Sequence, residues 1–146
     1  MRMPNSESWF LWALLSAIFA GLTAILAKVG IRGVDSDLAT LVRTVIILVV
    51  LAAFVGATGK FANPFHLPAR TWVFLTGSAL ATGASWVCYF RALQLGDASK
   101  VAPVDKLSLV FVALFAVAFL SERPSLREWT GIALVAIGVV VLAWKR

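Results

Sequence analysis

The chain has 146 residues, of which 61% are hydrophobic and 14% charged, and its mean hydropathy is +0.94. Soluble domains run near half apolar and about a quarter charged, so these values exclude a disordered tail, a disulfide-rich secreted domain and an ordinary water-soluble enzyme. The formal net charge of +6 comes from thirteen Lys and Arg scattered between hydrophobic runs, a pattern that suits anchoring at anionic headgroups and not a nucleic-acid-binding stripe.

In chain order the sequence predicts an all-α integral membrane protein, one domain of five spanning helices at about 9–29, 38–57, 71–91, 99–120 and 127–144. A helix crosses the hydrocarbon core in about 20 residues, so five of them leave only short connections. The first run follows a capping-type cluster, Asn5, Ser6 and Ser8. It carries Trp9 and Trp12 at one end, where aromatic residues meet the interface. Its length and the lack of an A-x-A site predict a mature span and not a cleaved signal peptide. Ala13, Ala17 and Gly21, and likewise Ser16, Ala20 and Ala24, recur every four residues and form small faces for close helix approach.

Asp37 is expected to cap the second segment, which is aliphatic apart from Arg43. The loop 58–70 is a turn region, with Asn63-Pro64, His66 and Pro68. His66 has no second histidine near it and reads as a loop residue. The third segment is the most polar. Its Ser78, Thr82, Ser85 and Tyr89 step by four, three and four residues and share one helical face. Cys88, the single cysteine, is expected to pack as a small buried side chain. Pro103 sits in the first turns of the fourth segment, where it is tolerated or kinks the helix, and Asp105 and Lys106 follow. Ser125-Leu126-Arg127-Glu128 has the capping-box pattern ahead of the fifth segment.

An ionisable side chain within a span costs roughly 2.5–3.5 kcal/mol on insertion scales, which singles out Arg43, Asp105 and Lys106. All three lie within about two turns of the same ends of their helices. Arg43 and Lys106 can snorkel to the headgroups. Asp105 is too short for that and calls for a partner: Arg43, Lys106 or water. A sharper reading pairs Asp105 with Arg43 as a gate. The Ser78, Thr82, Ser85 and Tyr89 face either lines a cavity or bonds its own and neighbouring helices. Trp86 offers a stacking surface for an organic or cationic solute or serves as an interfacial anchor. Glu122 suits a cap or a loop ion pair.

Five spans put the termini on opposite faces. Face A, that of the N-terminus, has Arg2, Lys60, Arg70, Arg123 and Arg127. Face B has Lys28, Arg32, Arg91, Lys100, Lys145 and Arg146. Orientation follows an excess of Lys and Arg on the cytoplasmic side. Five against six is almost none, and adding Arg43 and Lys106 near face B gives five against eight, a mild bias. Insertion both ways is therefore expected, the alternative being one orientation picked by the translocon or by a lipid bias.

The stretch Tyr89-Phe90-Arg91-Ala92-Leu93-Gln94-Leu95-Gly96-Asp97-Ala98, continuing to Val101-Ala102-Pro103, is the most telling part of the chain. With it go Phe119-Leu120-Ser121-Glu122-Arg123-Pro124, then Trp129-Thr130-Gly131-Ile132-Ala133, Gly138-Val139, and Arg43 early in the second helix. In these the chain resembles the EamA-like domain of the drug/metabolite transporter superfamily over about residues 8–145. Most such members carry ten helices as two domains of opposite topology. The resemblance therefore implies a homodimer of antiparallel copies, one half of the inverted repeat each, moving a small organic metabolite or drug by alternating access. The smaller four-helix relatives couple to protons through an acidic residue in their first helix, and this first segment has none.

No G-x-S-x-G, H-E-x-x-H, Walker A or metal-spaced cluster is present, so no catalytic residue, metal or cofactor is predicted. Uphill transport would then draw on an ion gradient or exchange. The expected partners are a small organic solute, membrane lipid and a second copy, in a bacterial or archaeal cytoplasmic membrane. Two rival readings are a non-transporting or heteromeric membrane subunit and a carrier of lipid-linked intermediates.

Overall fold

The computed structural model describes residues 8–144. Among them the regular elements are helical: α1 Ser8–Gly30, α2 Ser36–Ala57, α3 Ala69–Leu95, α4 Ala98–Asp105, α5 Ser108–Leu120 and α6 Leu126–Ala143, with a short 3-10 turn at Pro64–His66. α4 and α5 make one span together. Five stretches are thus long and apolar enough to cross a membrane: Trp9–Gly30, Ser36–Ala57, Ala69–Leu95, Ala98–Leu120 and Leu126–Ala143. The protein is an all-helical, multi-pass membrane protein, as the hydropathy pattern predicts. Arg2, Asn5, Ser6, Lys145 and Arg146, used in the cap and charge arguments, lie outside the described residues.

Side-chain exposure fits lipid as the solvent. Leu48 is 66% exposed, Val49 62% and Leu134 65%, each in the middle of a span. Only helices and closed barrels satisfy every backbone group inside a bilayer, and here the helices do so. The buried apolar residues are few and mostly not large: Ala24, Ile31, Phe90, Leu93, Ala113, Ala116 and Val139. Helix association in lipid depends on such close contacts, because the surrounding tails are as apolar as leucine.

By its internal contacts the chain divides into two compact units. One is Ala27–Leu95; the other joins the residues up to Leu26 with those from Gly96 onward. In the first, α2 packs against α3 around Ile31, Phe90 and Leu93, with the small polar residues Ser36 and Thr40 buried among them. Thr40 satisfies its hydroxyl by donating to the Ser36 carbonyl at 2.8 Å. In the second, α4 and α5 pack against α6, and Ala113 and Ala116 are the buried small residues of α5.

The structure departs from the sequence reading in four places. Asp35, not Asp37, caps α2. Asp35 is extended, and its carboxylate accepts from the backbone N–H groups of Asp37 and Leu38 at 2.9 and 3.1 Å, two of the donors a helix start leaves free. Asp37 falls in the first turn, where a negative charge also suits the helix dipole, and its side chain is available to another helix. α3 runs on to Leu95, past the expected end at Arg91, because Leu93 in that extra turn is fully buried. The fourth span is not continuous: α4 stops at Asp105 and α5 begins at Ser108. Cys88 is exposed. An apolar run in a membrane protein places a side chain in hydrocarbon, which need not mean in the protein interior.

The expected capping box is formed. Ser125 accepts from the Glu128 N–H, and the Glu128 carboxylate accepts from the Ser125 N–H at 2.6 Å. The small faces of α1 are exposed save Ala24, and no side chain or foreign backbone lies within 4 Å of a Cβ built on Gly21.

Candidate functional site

The unit Ala27–Leu95 concentrates its chemistry at the face-B ends of α2 and α3. Arg43 is seven residues into α2, about 10 Å along the axis at 1.5 Å per residue. Its guanidinium lies over the Trp86 ring at 4.5 Å from the centroid and over the Phe90 ring at 5.3 Å. Trp86 and Phe90 are one turn apart on α3, so they present neighbouring rings on one face. A cation–π contact is worth about 0.5–1 kcal/mol where exposed and about 2 kcal/mol where desolvated, against the roughly 2.5–3.5 kcal/mol an arginine costs within a span. The two rings therefore offset part of the cost of the cation.

Nearer the helix ends a second contact ties α2 to α3. The Arg91 Nε donates to Asp37 Oδ1 at 3.1 Å and its Nη2 to Oδ2 at 2.6 Å, a two-pronged fork that fixes register as well as distance. Gln94 Nε2 donates to the Val34 carbonyl at 3.0 Å, and the Lys28 ammonium donates to the Leu93 carbonyl. The start of α2 and the end of α3 are thereby tied together, six residues before Arg43, by side chains that the sequence reading assigned no such role.

The predicted residues meet only in part. Arg43 and Trp86, expected as gate and cavity wall respectively, are in contact. Phe90 joins them, and its signal in the sequence was its position four residues after Trp86. Ser78, Thr82 and Ser85 share an exposed stretch of α3, while Tyr89 is half-buried. Thr82 donates its hydroxyl to the Ser78 carbonyl at 2.9 Å, a bond to its own helix that leaves the hydroxyl oxygen able to accept.

In the other unit, Asp105 is the last residue of α4 and lies 3.5 Å from the Lys106 ammonium. The backbone N–H groups of Lys106, Leu107, Leu109 and Val110 donate to carbonyls three residues back, at 3.0 to 3.1 Å. This is the tighter 3-10 pattern, and a mid-helix stretch of it often marks a hinge. Beside the break, an apolar groove of about 660 Å³ runs between α5 and α6, with Lys106 among its lining residues and Glu122 and Glu128 also lining it. Among the described residues no group of three or more His, Cys, Asp or Glu is placed to hold a metal.

A family model, the EamA-like transporter family, matches residues 7–144. The chain belongs to this family. EamA members are transporters, and the resemblance read from the Tyr89–Pro103 and Phe119–Val139 stretches is thus established. An uncharacterized transporter in the cobO 3' region of a Sinorhizobium species is 59% identical over 138 residues, covering 94% of this chain and 98% of that protein. The uncharacterized transporter YxxF of Bacillus subtilis is 24% identical over 140 residues, covering 95% of this chain but 43% of its own length. A probable 4-amino-4-deoxy-L-arabinose-phosphoundecaprenol flippase subunit, ArnE of Yersinia pestis, is 28% identical over 71 residues, 49% of this chain and 62% of that one. No solved structure matches.

Proposed function

We propose that this EamA protein is a secondary transporter of small organic metabolites or drugs, built as one membrane domain and working as an antiparallel homodimer in a bacterial or archaeal cytoplasmic membrane. The observation that carries the reading is the pair of relatives of different length. YxxF matches nearly all of this chain with under half of its own length, while the Sinorhizobium transporter is matched over almost all of its own. A short form and a form more than twice as long are what an inverted repeat gives when its halves are separate in one case and joined in the other. The near-even split of Lys and Arg between the two faces supports insertion both ways.

In this reading each copy contributes the Ser78, Thr82, Ser85, Trp86 and Tyr89 surface of α3 to a cavity near the midplane. Arg43, Asp105 and Lys106 act in gating or coupling, and rocking of the two copies alternates access. Paired reporters fused after Arg146, one active only in the cytoplasm and one only outside, test the assembly. Signal from both supports it. Signal from one alone removes the antiparallel homodimer.

A second reading has one specific observation behind it. The Yersinia pestis relative is named as a subunit of a flippase for a phosphoundecaprenol-linked sugar. A carrier of lipid-linked intermediates, or one half of a heteromeric pair, would fit that likeness. A preference of the purified protein for amphiphiles over water-soluble solutes would favour it.

A further inference from the structure

The geometry points to Arg43, braced on Trp86 and Phe90, as the receptor for an oxyanion, a carboxylate or a phosphate. The inference rests on the transporter reading for its use, since it names the chemistry of the solute.

A guanidinium carries five N–H donors, and a contact with ring faces does not consume them as hydrogen bonds to oxygen would. Among the described residues Arg43 lies over the two rings and has Tyr89 as an electrostatic neighbour, while no carboxylate is paired with it. A guanidinium already placed against two rings loses little freedom on binding, and its fork of donors matches a carboxylate or phosphate edge with two parallel bonds.

The residues from Ala27 to Leu95 include just two carboxylates, Asp35 and Asp37. Asp35 is occupied with the first N–H groups of α2, and Asp37 is held by Arg91. Against them this end of the unit carries Lys28, Arg32, Arg43 and Arg91. α3 has no acidic residue along its whole length. A surplus of cations beside low-dielectric walls draws in anions and repels cationic solutes. Trp86 offers one ring to Arg43, so the structure has turned a surface suited to a cation into the backing of a site suited to an anion.

The oxyanion can come from a free solute or from a lipid headgroup, and the test separates them. Purified protein in non-ionic detergent is dialysed to equilibrium against radiolabelled inorganic phosphate at fixed ionic strength. Wild type is expected to bind saturably, with displacement by acetate and not by tetramethylammonium. Arg43→Gln should bind at least about tenfold more weakly, the effect of losing one charge-assisted fork. Arg43→Lys, which keeps the charge and loses the fork, should fall between. The wild-type measurement is then repeated in phosphatidylcholine vesicles with and without phosphatidylglycerol. Loss of phosphate binding when the anionic lipid is added identifies a headgroup as occupant; persistence identifies a free solute. Either supports the receptor. No saturable binding by wild type in detergent or neutral vesicles overturns it, and so does equal affinity in a folded Arg43→Gln. The assay contains no transport step. Failure here would leave a transporter of neutral or cationic solutes, and failure of transport in cells would leave a measured binding site.

Discussion

Arg43 and Asp105 are both charged residues inside spans, yet they are treated differently. Arg43 is backed by two aromatic rings across a helix pair. Asp105 has a neighbour in sequence, Lys106, at 3.5 Å with both side chains partly exposed. Such an exposed pair contributes little to stability, so the carboxylate is not there to hold the fold. Asp105→Asn is close in shape and keeps hydrogen-bonding capacity while deleting the charge. If Asp105 acts in gating or coupling, the variant should insert and purify as wild type does, while uptake of a solute that wild-type vesicles accumulate falls by about tenfold or more, the scale of one lost charged contact. Unchanged uptake would take Asp105 out of the mechanism. At this scale the sequence marked Arg43 and Asp105 by cost alone, since a charge in an apolar run is conspicuous. It could not supply the partners of Arg43, because Trp86 and Phe90 are more than forty residues away and no local rule says which faces of two spans meet. Asp37 was misread for a related reason. Two acids two residues apart can each cap a helix start, and only the position of Arg91 on α3 settles which of them is needed elsewhere.

Among the elements, the fourth span carries the most information. Pro103 lies inside α4 and cannot donate to the Ser99 carbonyl, and its ring crowds that turn. The ladder then shortens to three-residue bonds at Lys106 and Leu107, and again at Leu109 and Val110 in the first turn of α5. From the sequence Pro103 was either tolerated in the first turns or a source of a kink. The sequence did not announce where the helix would break, because the disturbance is relieved a turn later at the polar Asp105-Lys106 pair. The capping box of α6 was readable in full, since Ser125 and Glu128 act on each other at a fixed spacing of three. If the break is a consequence of Pro103, Pro103→Ala should restore a four-residue bond and extend the regular ladder. Amide hydrogen exchange over residues 104–110 should then slow relative to wild type while exchange in α2 stays the same. Equal exchange in the two proteins would locate the cause of the break at Lys106 and Leu107 instead.

For the whole molecule the deciding quantity is orientation, and it depends on a few loop charges. Lys60 and Arg70 lie on face A and Arg32 and Lys100 on face B, all outside the apolar middles of the spans. Removing a pair from one face creates the excess on the other that the natural chain lacks, and such an excess sets orientation. Lys60→Gln with Arg70→Gln should pin face B to the cytoplasm. Arg32→Gln with Lys100→Gln, strengthened by Asn63→Lys and His66→Lys, should pin face A there. An antiparallel dimer requires one copy of each orientation, because a closed two-copy assembly about an axis in the membrane plane turns one copy over. Differently tagged copies should therefore co-purify when one is pinned each way and fail to do so when both are pinned alike. Co-purification of like-pinned copies would instead show a parallel assembly, and the long relative's second half would then have to be matched by a different protein of opposite orientation.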